Sequence, residues 1–154
     1  MFTHTRVRQV AAVFALVCFI SASADSAESI SQEYQIKAAF LYNFAKFVEW
    51  PSSFQETSEE AFVIGIYGQD PFGDGIDQLL KDENIRNRRI IIRRFKTPQS
   101  IDFCHILFVN VEDAQSLREV IGALSGKSIL TVGQNDKFIK NGGMIAFYVE
   151  DEKI

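Results

Sequence analysis

The chain is poor in the residues that carry most side-chain chemistry. Two cysteines, two histidines, three prolines and one tryptophan are spread over 154 residues, and 16 Lys and Arg face 20 Asp and Glu. No basic stripe of the kind that tracks a phosphate backbone is present, which argues against nucleic acid as a partner. The longest apolar run near the start, residues 10–20, is about 11 residues and too short to cross a bilayer. It follows Arg6 and Arg8 with no acid and precedes Ala22-Ser23-Ala24, the order of a secretory signal peptide cleaved after Ala24. Residues 1–24 are therefore read as a leader and 25–154 as one domain. Leu16-Val17-Cys18 places a cysteine where a lipoprotein signal would, but Val17 stands where such a site wants Gly or Ala, and an uncleaved anchor is disfavoured by the shortness of the run.

Loss of the leader sharpens these absences. Cys18 and His4 go with it, leaving Cys104 and His105 as the only members of their kinds. A lone cysteine excludes an intramolecular disulfide in an exported protein. One His beside one Cys is too poor a set for structural zinc, so no metal and no cofactor are expected. As strand neighbours the two point to opposite faces, so they cannot act as nucleophile and base, and Cys104 reads as a buried, inert thiol. No catalytic residues are assigned, because no nucleophile, base and orienting group can be assembled. With two Arg and no acid removed, 14 basic residues face 20 acidic ones, a formal charge of −6.

What the chain does have is periodicity. Tyr34, Ile36, Ala38, Phe40, Leu41, Phe44, Ala45, Phe47 and Val48 recur at three and four, predicting a broad-faced helix with Ser31 as N-cap and Pro51 as its stop. Residues 52–60 are a polar, acidic loop. Residues 61–68 are an apolar run read as a buried strand, after which Asp70 as cap and Pro71 at the first helical position predict a helix over 72–80. Further strands are expected at 88–95, 103–109, 128–132 and 144–149, with a helix over 112–124 closed by Gly126, a turn at 133–136, one helical turn at 137–140 and a hairpin-like turn at 141–143. The pattern predicts a single α/β domain with a mostly parallel mixed sheet and helices on both faces.

Four constellations stand out. Gly65, Gly68 and Gly73 lie between strand and helix but match neither a dinucleotide fingerprint nor a phosphate loop, so they read as turn geometry. Asp70, Asp74, Asp77, Asp82 and Glu83 read as a solvated helix face. The arginines at 86, 88, 89, 93 and 94 flank a strand, either as a patch for an anion or acidic partner or as guards against unwanted pairing. The aromatic first helix weighs most: it either covers the sheet or meets a partner, since aromatics are enriched in interface cores.

Tyr34-Gln-Ile-Lys-Ala-Ala-Phe-Leu-Tyr-Asn-Phe-Ala-Lys-Phe-Val-Glu-Trp-Pro51, with Ile64-Gly-Ile-Tyr-Gly68, Asp70-Pro71-Phe72-Gly73, Cys104-His-Ile-Leu-Phe108, Ile129-Leu-Thr-Val-Gly133 with Phe138, and Gly142-Gly143-Met144-Ile145, closely resembles the YfiR family of small exported proteins. The resemblance runs over about residues 33–148. It implies a non-catalytic periplasmic regulator that binds the periplasmic sensor region of YfiN-type membrane diguanylate cyclases and represses cyclic-di-GMP synthesis, with homodimerisation left open. Some members cross-link cysteines, which Cys104 here has no partner to do. The family continues past Met144 through a further strand into a C-terminal helix, so the resemblance implies an end shortened by roughly 20 to 30 residues. The residues carrying the motif, Tyr34, Tyr42, Phe47 and Trp50 of the first helix and Asp70, Pro71 and Phe72 of the loop, are the candidate partner contacts. The alternative is a small-ligand-binding sensor module using the crevice at the carboxyl ends of the strands.

Overall fold

The computed structural model describes residues 31–51 and 61–148. The expected leader, the loop expected at 52–60 and the end of the last expected strand lie outside the described residues. Helix α1 spans Gln32–Phe47, entered from an extended Ser31 whose carbonyl accepts from the Gln35 N–H at 3.0 Å. Ser31 thus sits at the expected position, but its side chain makes no capping bond. Val48 is already extended and Pro51 follows, consistent with the bias of pre-proline residues away from helix.

Strand β1 (Ala61–Gly68) is buried throughout except at Gly68. Helix α2 covers only Gly75–Leu80, three residues later than predicted. Asp70 is not its cap: the carboxylate Oδ1 accepts from the backbone N–H of Phe72 (2.8 Å) and Gly73 (3.2 Å), closing a turn that precedes the helix. A two-residue strand, β2 (Asn84–Ile85), then turns into β3 (Arg88–Phe95) through Arg86 and Asn87, both at positive φ (50° and 67°). Two left-handed residues in a two-residue loop make a tight hairpin. Nothing in the apolar pattern marks β2, because it has one buried side chain, Ile85.

A single 3-10 turn (Pro98–Ser100) leads to β4 (Ile106–Asn110), α3 (Ala114–Ala123), β5 (Leu130–Gln134), α4 (Asn135–Lys140) and β6 (Ile145–Phe147). Asp113 caps α3 by accepting from the Ser116 N–H at 2.8 Å. The glycines at 142 and 143 do not form a hairpin. β6 pairs parallel to β5, so 135–144 is a crossover with α4 inside it, and α4 takes in Asn135 and Asp136, which were expected in a turn.

The six strands lie in the order β2-β3-β1-β4-β5-β6, all parallel except β2. Alternation along β1 and β4 divides the core. Phe62, Ile64, Ile66, Ile106 and Phe108 face α1 and α2, whereas Val63, Tyr67, Leu107 and Val109 face α3 and α4. The chain leaves β1 toward one edge and returns at β4 to wind toward the other, so the boundary between β1 and β4 is the topological switch point.

Candidate functional site

At the switch point the loops after β1 and β4 are tied together rather than left open. Gly68, at φ +90, brings the two backbones together. The Gln69 N–H donates to the Asn110 carbonyl, and the Asn110 amide donates back to the Gln69 carbonyl, both at 2.9 Å. Gln134 at the end of β5 donates to the Asn110 side-chain oxygen at 3.0 Å, and Gln134 in turn accepts from the Lys37 ammonium of α1. Lys37 is buried, pairs with Glu33 one turn back, and lies 4.6 Å from the centre of the Tyr34 ring. A buried ammonium needs such partners, since an uncompensated charge there would be strongly destabilising. The crevice expected to hold a ligand is therefore laced by side chains from two strands and a helix, tied to the backbone of Gln69 after β1.

An open cavity of about 400 Å³ lies beside it, at the carboxyl ends of β1 and β3, lined by Tyr67, Asp70, Arg94, Phe95 and Lys96 among others. The Arg94 guanidinium donates to Asp70 (2.7 Å), to Asp77 (2.6 Å) and to the Gly73 carbonyl (2.6 Å). Its pKa is raised above the ordinary guanidinium value, chiefly by the bond to Asp77, against desolvation. Two of the acids expected on a solvated face are thus bridged by Arg94, an arginine expected in a patch for an anion or acidic partner or as a guard against pairing. A third, Glu83, accepts the Tyr42 hydroxyl at 2.6 Å, which raises the Tyr42 pKa.

The candidate contact residues fall in two places. Tyr34 meets Phe72 edge to face at 5.4 Å, so the start of α1 and the turn of Asp70 and Pro71 form one surface at the carboxyl end of the sheet. Phe47 lies at the other end of α1, about 20 Å away along the helix axis. It is 80% exposed. Trp50, next along the chain, is buried: its indole N–H donates to the Ala45 carbonyl at 3.1 Å and its ring meets Phe62 and His105 edge-on. Phe72 is buried as well, 4.9 Å from Phe108. Trp50 and Phe72 therefore belong to the core and present no ring to a surface. The candidate set missed Ile36 and Phe40, both exposed on α1, the Phe40 ring lying 6.1 Å from Phe44 and 6.0 Å from Phe147. The signal available was the breadth of the apolar face.

Cys104 and His105 do face opposite layers. Burial, with Asp102 adding to it, pushes the Cys104 thiol up to about 12, the state of an inert thiol. His105 stacks on Phe62 at 4.2 Å, and its Nδ1 accepts from the Val63 N–H at 3.0 Å. Burial, with the charge of Arg88, lowers its pKa from 6.5 to about 4. Above the unfolded value both states are neutral and nothing is lost. As pH falls below it, the unfolded chain takes up a proton that the folded chain refuses until about pH 4. Stability should then fall by roughly 1.4 kcal/mol per pH unit through that window and level off below it. Urea midpoints measured between about pH 7 and pH 5, before most carboxylates titrate, check this, and a level profile would refute it.

The doubly wound sheet, the laced switch point and the aromatic helix define a small α/β module whose described residues bring together no group of three or more metal-ligating side chains. Comparison with protein families matches residues 34–154 to the YfiR/HmsC-like family, and the chain belongs to that family. It is accordingly a regulator in cyclic-di-GMP signalling, from a family of regulators rather than one known for catalysis. Comparison with curated proteins matches none.

Proposed function

We propose that the protein is exported, loses residues 1–24, and represses a membrane-bound diguanylate cyclase by stoichiometric binding to that enzyme's periplasmic sensor region. Family membership supports the signalling role. The observation that carries the binding role is α1, which buries Ala38, Leu41 and Ala45 yet leaves Ile36, Phe40 and Phe47 open to solvent. Exposed large apolar side chains gathered on one helix mark interaction surfaces. Tyr34, Tyr42, Phe47, Asp70 and Pro71 complete the proposed contact set. Repression by binding is a population shift: the regulator must favour the inactive cyclase over the active one, by about 5.5 kcal/mol to carry it from nearly all active to nearly all inactive.

Calorimetry against the cyclase's periplasmic region tests this. Phe47→Ser removes a ring that contributes little to the core, so the variant should keep its melting temperature and bind about tenfold more weakly or worse, a loss of roughly 1.4 kcal/mol or more. Wild-type affinity in both Phe47→Ser and Phe40→Ser would remove α1 from the interface. Trp50→Ala is the wrong probe, because it opens the core and lowers binding through stability.

The cavity of about 400 Å³ beside Arg94 and Lys96 favours a second reading, a small-ligand sensor, since ligand pockets fall within roughly 300 to 1,000 Å³. A rise in melting temperature with a small acid, absent in Lys96→Ala, would support that reading; no rise with any ligand tried would leave protein binding as the activity.

A further inference from the structure

We propose that the outer edge of β3 is a docking site at which an extended acidic segment of a partner protein joins the sheet as an additional strand. This deepens the protein-binding reading by placing a second contact surface away from the exposed face of α1.

The first ground is backbone accounting. β1 pairs with β3 along its inner side from Arg89 to Phe95, whereas β2 meets only Arg88 and Arg89 on the outer side. Residues flanking a two-residue hairpin loop exchange both backbone bonds, so Ile85 and Arg88 are such a pair and the backbone groups of Arg88 point outward. Strand alternation then points those of Ile90, Ile92 and Arg94 outward as well. Among the described residues no strand receives them. A row of outward N–H and C=O groups is a template for an incoming strand.

The second ground is side-chain chemistry. Ile90, Ile91 and Ile92 are half-buried and form an aliphatic centre. Arg86, Arg88 and Arg89 stand at one end of it, and Arg93 and Arg94 at the other. Asp70 and Asp77 engage Arg94, and Asp102 lies 3.8 Å from Arg93. Arg94 is already matched by its two carboxylates, so the local positive field comes from the other arginines around the strand, Arg86, Arg88, Arg89 and Arg93, in a chain whose net charge is −4. Guard charges discourage indiscriminate pairing, and here they also select. A second copy docking edge to edge about Ile91 would set Arg89 against Arg93 and Arg88 against Arg94, like charges directly opposite, which is destabilising. An extended segment with an aliphatic centre and acids opposite Arg88 and Arg89 at one end and Arg93 at the other meets complementary groups.

The test uses the purified protein and a short synthetic peptide with a valine-rich centre and glutamates at both ends, followed by amide hydrogen exchange. The peptide should slow exchange at Ile90 and Ile92 about tenfold or more, and the same peptide with lysines for glutamates should not. An Arg89→Glu and Arg93→Glu double variant should bind the acidic peptide about tenfold more weakly with its melting temperature retained, whereas Phe47→Ser should bind it normally. Protection at Ile90 and Ile92 already present in the free protein would mean that the edge is occupied within the chain or by a second copy, and would overturn the proposal. So would absence of peptide binding, or binding indifferent to the glutamates. Since no cyclase enters the assay, its failure is separate from failure of the α1 interface.

Discussion

Gly68→Ala should destabilise the protein by about 3 kcal/mol, much more than the same change at Gly73. Both glycines have positive φ, +90° and +50°, and each substitution therefore carries roughly 1–2 kcal/mol of backbone strain. The difference lies in what surrounds them. A Cβ on Gly68 would sit 2.1 Å from the Asn110 carbonyl oxygen and 2.8 Å from its carbon, both backbone atoms that cannot swing away, whereas a Cβ on Gly73 meets nothing within 4 Å. To admit the methyl group, the loops after β1 and β4 must separate, and the bond between the Gln69 N–H and the Asn110 carbonyl is lost with them, adding about 1 kcal/mol or more. Urea unfolding of the two variants side by side is the measurement. Equal losses would mean that the close approach at the switch point is unimportant.

The second large effect is expected at Phe138, a ring 2% exposed on the α3 and α4 side of the sheet. Phe138→Ala should cost about 3–5 kcal/mol through lost burial and the cavity left behind. The ring is also the reason for two glycines. A Cβ on Gly133 would fall 2.4 Å from Phe138 Cγ, and one on Gly143 2.2 Å from Cε1. An aromatic ring held between two backbones cannot yield by rotating a flexible end, so Gly143→Ala alone should cost roughly 1–3 kcal/mol by overpacking. Combined with Phe138→Ala the same methyl group enters the vacated space, and the double variant should be more stable than the sum of the single losses predicts by about 1 kcal/mol or more. Additive losses in a four-protein unfolding cycle would show that the glycines serve some other purpose.

Much of the fold was legible because the sequence spells out local rules. The apolar run of 61–68 became β1 at the predicted ends, and 88–95 became β3 despite its arginines, since three consecutive isoleucines leave few other choices. The helix predicted over 72–80 starts only at Gly75, because Asp-Pro can open either a helix or a turn. Which one forms depended on Arg94, 24 residues away in sequence, binding Asp70 and Asp77 together. The hairpin-like turn at 141–143 misled for a related reason. Two glycines advertise freedom of the backbone, and here that freedom served the approach of Phe138 in a parallel crossover.

The candidate site was legible as a helix but not as a surface. Phe47 and Trp50 lie three residues apart in a run of aromatics, and nothing in their identities separates them. The sheet does: Trp50 turns onto Phe62 and His105, and Phe47 points away.

The sequence by itself determined the class of fold, most element positions, the isolation of Cys104 and His105 on opposite faces and the family resemblance, because all of these follow from periodicity, composition and contiguous motif. Only the tertiary structure decided the order of the strands, the lacing of Lys37, Gln134, Asn110 and Gln69 across the switch point, the pairing of Arg94, the stretch of β3 that no strand among the described residues covers and which aromatics remain exposed. These are contacts between residues far apart along the chain, and their energies exist only once the sheet has brought the partners within reach.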